Sequence, residues 1–368
     1  MLRRPHLPAL TITRFFAALG VVLFHYGSTV ITSWTEDVVA TSRVSFFFIL
    51  SGFILVYAAR PDDDSRQFWV QRSARLYPVY LLAWCMTGVV VFISSSGTHE
   101  YLLKYVAYYG VPALVLTQQW LPQTPKLSWN SPSWTMSVEA FYYLMFPLAY
   151  GAIAKLKPRT LLITAVGLLV ISMALAVQQL PMPRTPLFQG SDIETTLNSY
   201  IGNLPLLQLP KFLLGVALGF IFLKRGPSPA YTWLIVTVAM IGCIEMVGDL
   251  MLRNSIMILL YAALIYSLAS MRLPNNLIVR TLVLLGQASY AIYILQEPLW
   301  RLYWYVIGRS NLIKTPVDIV EFCIVLIVIA VIAHLYFERP AERWIRSKFS
   351  KQNSNRAMCE GVLNQNAR

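Results

Sequence analysis

The sequence predicts an all-α protein: a polytopic bundle of about ten transmembrane helices with both termini in the cytoplasm. Three observations carry that prediction. Of 368 residues, 57% are hydrophobic and only 13% charged, and the mean hydropathy is +0.56, a balance outside the range of ordinary soluble domains. Apolar runs of helical length recur along the whole chain. The basic residues gather in alternate short loops, as the positive-inside rule requires of a bundle with an even number of spans.

The net charge of +13 would point to nucleic acid in a soluble protein. Here the charge orients the chain, and nucleic-acid binding is excluded. Cys85, Cys243, Cys323 and Cys359 stand singly, which supports neither a disulfide framework nor a metal centre. The basic start Met1–Arg4 followed by an apolar run lacks a small-residue cleavage pattern, so it reads as a retained first helix.

A window of about 19 residues places the spans near 10–30, 43–60, 75–95, 137–154, 159–177, 207–223, 230–248, 253–270, 281–305 and 317–336. The stretch 101–119 carries Lys104, Gly110 and Pro112 and reads as an interfacial or re-entrant segment or as an eleventh span. Arg3, Arg4, Arg60, Arg66, Arg72, Arg75, Lys155, Lys157, Arg159, Lys224, Arg225, Arg272, Arg280 and the C-terminal Arg339, Arg343, Arg346 and Lys348 all fall on one side, the cytoplasm. Residues 1–346 thus form one membrane domain, and the polar, aperiodic segment 347–368 is expected to be a disordered tail.

Within the first span, "RFFAALGVVLFHY" sets Arg14 and His25 eleven residues apart. At 100° per residue that is three turns and about 20°, so the two share a face, roughly 16 Å apart along the axis. Ala18 and Val21 lie between them on that stripe and, being small, are expected to leave a groove. Arg14 alone could snorkel to the interface and His25 could be a satisfied core histidine. An aligned ionisable pair inside lipid points instead to function.

The second span holds Ser51 and Gly52 in "FFFILSGFILVY", read as a close-packing site, because no base accompanies the serine. At the start of the third span Arg72 and Arg75, i and i+3, share one face at the cytoplasmic mouth. Guanidinium pairs suit phosphate, although arginines flanking a span are also what orientation demands. The fourth span opens on "NSPSWTMSVEAFYY" with Ser131 as N-cap and Pro132 at the first helical position. That places Glu139 about two turns into the apolar region, where a carboxylate needs a partner; a membrane-embedded histidine is the candidate, or a structural bond to tyrosine or backbone. In the ninth span Ser289, Tyr290, Tyr293, Gln296 and Glu297 form a polar stripe, and "YFERPAERWIR" ends the tenth with Pro340 and basic residues as the stop.

Taken together, Arg14-x10-His25, "FFFILSGF", Arg72-x-x-Arg75 with "LYP", "SPSWTMSVEAFYY", "GQASYAIYIL" and "FERP" resemble acyltransferase family 3, the membrane O-acyltransferases of bacterial surface polysaccharides, over residues 8–345. The resemblance implies a ten-helix bundle of the bacterial inner membrane that transfers an acyl group, usually acetyl, from cytoplasmic acyl-CoA to a carbohydrate on the other face. It implies essential roles for Arg14 and His25 and matches the family's RxxR to Arg72 and Arg75. Family members often carry a histidine after the "SYxxYL" stretch, where this chain has Gln296, so no second catalytic histidine is expected there. The chain also ends soon after the tenth span, which favours the smaller members, those acting on exopolysaccharide, O-antigen or lipid-linked sugars.

The catalytic candidates are therefore His25, Glu139 and Arg14. Those for the donor are Arg72, Arg75 and Arg14, and those for the acceptor Trp134, Tyr142 and Tyr290. No permanently bound cofactor is expected; acetyl-CoA or another acyl-CoA is the donor substrate, with membrane lipid and polysaccharide-assembly machinery as further partners. The rival reading is a glycolipid transporter or flippase that uses the same buried charges as a relay.

Overall fold

A computed structural model describes residues 4–27, 42–59, 64–94, 99–121, 128–178, 203–229, 231–248, 250–307 and 315–349. No strand occurs among them. The helices are α1 (Pro8–Gly27), α2 (Ser42–Ala58), α3 (Ser65–Ser94), α4 (His99–Tyr105), α5 (Val111–Leu114), α6 (Trp134–Ala154), α7 (Pro158–Gln178), α8 (Pro205–Arg225), α9 (Thr232–Met246), α10 (Leu250–Ala269), α11 (Leu277–Ile307) and α12 (Pro316–Ala333). Among the described residues seven helices are long and apolar enough to cross a membrane, and Val44–Ala58 and Thr232–Cys243 are shorter apolar helices. The chain is an all-α, multi-pass membrane protein.

Local chemistry sets several helix ends. Thr315 and Asp318 form a capping box ahead of Pro316 on α12, satisfying donors that would otherwise be orphaned. α8 starts with Pro205 at its first position and stops at Gly226, whose φ of 82° is open to glycine at little cost.

Each expected span has its helix, with three departures. The third begins at Ser65, ten residues before the hydropathy edge, because the mixed stretch "SRQFWVQRSA" continues the helix below the apolar run. The segment 99–114 is neither straight nor of span length: α4, a π-helical turn over Val106–Gly110 and α5 follow one another, with Pro112 in the last. Pro340 does not stop the final helix. A π turn over His334–Glu338 carries the chain into a helix that runs to Phe349. The wider turn accommodates the missing N–H and the ring of proline at the next position but one. Residues 347–349, expected in the tail, are thus helical, and the rest of that tail lies outside the described residues, as do most of the expected outer loop 178–206 and part of 96–136.

The helices build two apolar cores. One is formed mainly by α2, α6, α7, α8 and α10, around Phe53, Tyr142 and Phe212. The other is formed by α1, α3, α11 and α12, around Val22, Val79 and Phe322. Within them the tightest pairings are α2 with α8 and α1 with α11. Both depend on glycine: a Cβ on Gly52 would stand 2.1 Å from the Phe212 carbonyl oxygen, one on Gly215 1.9 Å from that of Ile49, and one on Gly286 2.0 Å from that of Thr11. Small residues at such crossings let backbones touch where lipid offers no hydrophobic drive for association.

Gly215→Ala should therefore push α2 from α8 and destabilise the protein by about 1–3 kcal/mol or more. Gly242→Ala, with nothing within 4 Å of the new methyl, should leave stability unchanged or slightly raised. Thermal melts of the two variants in detergent compare them; equal melting temperatures would refute the account of the contact.

Candidate active site

Between the two cores lies a cavity of about 120 Å³, walled by α1, α2, α3, α6 and α11. Its polar lining is Arg14, Ser51, Arg72, Arg75, Glu139 and Tyr143, with Ser289, Tyr290 and Tyr293 from α11. Helical spacing explains the set. Gly52 faces α8, so Ser51, 100° round the helix, faces the other way into the cavity. Arg72 and Arg75 share a face of α3, and Glu139 and Tyr143 share one of α6. Val44 and Leu55 both line the wall; being eleven residues apart on α2, they give the cavity a length of roughly 16 Å.

Tyr143 donates its hydroxyl to Glu139 Oε1 at 2.5 Å, and Ser51 Oγ donates to the same oxygen at 3.4 Å. Trp69 anchors the tyrosine's backbone carbonyl at 3.0 Å. The Arg72 guanidinium lies 5.4 Å above the Phe68 ring. Among the described residues no hydrogen bond or close ion pair engages Arg14, Arg72 or Arg75, and Arg72 Nε is buried without a partner. Arg14 lies within electrostatic range of Arg75, Glu139 and Glu338. Three permanent cations thus face one lining carboxyl group in an interior where uncompensated charge is costly. The missing counter-charge defines the chemistry: the cavity suits an anion that can accept several guanidinium N–H bonds, as phosphate oxygens do.

This arrangement corrects several expectations. Arg72 and Arg75 lie two to three turns into α3, because that helix starts ten residues before the apolar run. Glu139 takes its hydrogen bonds from Tyr143 and Ser51 and joins the arginines, not His25. Ser51, read as a packing residue, lines the cavity, and its packing role belongs to Gly52 alone. Ala18 and Val21 leave no groove: at 0% and 4% exposed they are buried in the second core, closing the space above Arg14. Of the acceptor candidates only Tyr290 reaches the cavity, its hydroxyl tied to the Leu76 carbonyl at 3.0 Å. Tyr142 is 0% exposed, stacked on Phe212 and bonded to the Gln208 carbonyl, so it cannot meet a substrate. Trp134 packs edge-on against Phe48. Ser131 is no helix cap; it opens a 3-10 turn, Ser131–Ser133, and gives its backbone N–H to Glu297.

His25 stands apart from the cavity, near the other end of α1. It is exposed although protein surrounds it on most sides, with Phe24 edge-on at 5.2 Å. The neighbouring Tyr26 stacks on Trp300 at 4.4 Å, and both pack against Phe322. This accessible imidazole beside a fixed aromatic wall can hold or take a proton from a bound hydroxyl.

A further buried pair escaped the sequence reading. His334 Nδ1 and Glu338 lie 2.8 Å apart at the two ends of the π turn, 6% and 3% exposed. The i,i+4 spacing in "HLYFE" was its signal, hidden because a terminal "FERP" reads as a stop.

The family described as acyltransferase domain matches residues 7–335. The acyltransferase MdmB of Streptomyces mycarofaciens is 31% identical over 314 residues, 78% of this chain and 77% of the relative. The O-acetyltransferase OatA of Staphylococcus aureus is 21% identical over 380 residues, 93% of this chain, which spans only 58% of OatA's length. Nodulation protein 10 of Rhizobium leguminosarum bv. viciae is 25% identical over 174 residues, 42% of this chain and 47% of its own. No solved structure matches the chain.

Proposed function

We propose, from the premise that the chain belongs to acyltransferase family 3 and is an O-acyltransferase, that it moves an acyl group, acetyl before others, from cytoplasmic acyl-CoA to a hydroxyl of an exopolysaccharide, O-antigen or lipid-linked sugar. The observation that carries the donor half is the cavity with three arginines and a single carboxyl group on its walls. The similarity to OatA, an O-acetyltransferase, supports acetyl as the group moved.

In this reading the nucleotide phosphates lie against Arg72, Arg75 and Arg14, where bidentate guanidinium contacts replace the hydration they lose. Glu139, held by Tyr143 and Ser51, balances part of the cationic charge. The pantetheine arm runs up the bundle and presents its thioester to His25. There His25 takes the proton of the acceptor hydroxyl as its oxygen bonds to the acyl carbon; the carbon–sulfur bond breaks and the thiolate leaves, to be protonated as CoA. The acceptor enters from the side of His25 and Trp300, opposite the arginines. The setting is the bacterial inner membrane.

Incubating the purified protein with radiolabelled acetyl-CoA and candidate polysaccharides tests the reading. Label is expected in the sugar. Movement of sugar across a vesicle bilayer without label would replace the enzyme with the transporter.

A further inference from the structure

Three carboxamide side chains between the arginine cavity and His25 share one peculiarity. Gln118 donates Nε2–H to the Ser133 carbonyl at 2.8 Å, Asn130 donates Nδ2–H to the Ile294 carbonyl at 3.0 Å, and Gln296 donates Nε2–H to the Tyr293 carbonyl at 2.8 Å. They are 8%, 2% and 0% exposed. Every one of their amide oxygens is buried with no hydrogen-bond partner. The carbonyl partners fix which end of each amide is nitrogen, so rotating the group cannot hide the idle oxygen. An orphaned buried acceptor is costly, and three together at one junction call for a ligand that donates.

They belong to one junction. Gln118 holds the Ser133 end of the Asn130–Ser133 turn, Asn130 joins the other end to α11 at Ile294, and Gln296 is two residues further along that helix. The Tyr293 hydroxyl meets the Pro132 carbonyl in the same place, at 3.1 Å. Their level follows from the register of α1 and α11, which run in parallel: Gly286 abuts Thr11 and Trp300 stacks on Tyr26. Ser289 is therefore level with Arg14, Gln296 lies roughly 10 Å above it, and His25 about 6 Å higher again. In height along the bundle the amides thus stand between the phosphate end of the proposed donor and its reacting end.

We infer that Gln118, Asn130 and Gln296 bind the pantetheine arm of the acyl-CoA donor, their idle oxygens accepting hydrogen bonds from its amide N–H groups and hydroxyl. The inference rests on the donor assignment above. An anion offers only acceptors and cannot satisfy these oxygens. The arm offers two amide N–H groups and a hydroxyl on an otherwise apolar chain, and the layer around the amides is apolar too, with Val21, Ile292, Ile294 and Leu295 buried in it. Tyr293, which lines the cavity, lies about one helical turn below Gln296 on α11 and so joins the two levels.

Gln296→Met tests this, because it keeps the side-chain shape while removing the oxygen. Affinities for CoA and for adenosine 3′,5′-bisphosphate, which carries phosphate groups but no arm, are measured by calorimetry on the full chain in detergent. CoA should bind roughly tenfold more weakly, the loss of about one hydrogen bond. The bisphosphate should bind as before, and the melting temperature should hold or rise because a buried unsatisfied atom is gone. Gln118→Met should repeat the pattern. Unchanged CoA affinity overturns the inference, whether the acceptor KM rises, which assigns the amides to sugar hydroxyls, or nothing moves, which leaves the oxygens to fixed waters. Equal weakening of both ligands marks a structural role and overturns it as well. Wild-type protein that binds neither ligand removes the donor assignment itself.

Discussion

Replacing His25 with alanine is expected to abolish acyl transfer while the protein inserts and accumulates as before. The two halves of that result have separate physical causes. His25 is exposed and lies outside both apolar cores, so truncating it opens no core cavity and removes no packing that α1 needs. A positioned general base contributes about 10²–10⁴ in rate, and Glu297, the carboxylate within electrostatic range of Tyr26, is already engaged by Arg301 and the Ser131 backbone N–H. Labelled acetate incorporated per mole of purified His25→Ala protein, against its yield and melting temperature, measures both halves. Wild-type incorporation in the variant would remove His25 from the mechanism.

Neutralising Arg72 and Arg75 together, as Arg72→Gln with Arg75→Gln, should act on binding instead of chemistry. Each guanidinium contact to phosphate is a charge-assisted bond of about 1.5–3 kcal/mol. Losing two should weaken CoA binding by about 10²–10⁴. Stability should not fall in proportion, since neither arginine makes a hydrogen bond or close ion pair with any described group and like charges are being removed from one wall. Saturating acetyl-CoA should then recover part of the turnover that His25→Ala loses outright. CoA affinity equal to wild type would show that the phosphates bind elsewhere.

The sequence disclosed the helices well because lipid makes apolar length an almost sufficient signal. It misjudged their ends where polar residues continue a helix, as at Ser65 and beyond Pro340. Arg14, Arg72, Arg75, Glu139 and Tyr290 were legible as candidates, since ionisable and polar groups inside a span are costly enough to need a reason. Their grouping was not legible: Glu139 meets Ser51 across 88 positions of chain, and nothing local to either residue announces the other. The same limit explains Tyr142. It is polar in "EAFYY" and one position from Tyr143, yet 100° of helix turn carries one ring into a sealed core and the other to the cavity. Ala18 and Val21 were misjudged because small size leaves space only if the facing helix does not fill it, and α11 does.

That filled layer has a consequence in the terms of an energised membrane. If the arginines open to the cytoplasm and His25 to the far side, the membrane voltage drops largely across the dry packing between them. Carrying a charge through that drop costs about 2.3 kcal/mol per 100 mV, and the nucleotide end of CoA bears several. An acetyl group bears none. By keeping the phosphates below the layer and letting only a neutral arm cross it, the protein would pass an activated group between two compartments without spending the potential and without opening a leak for protons.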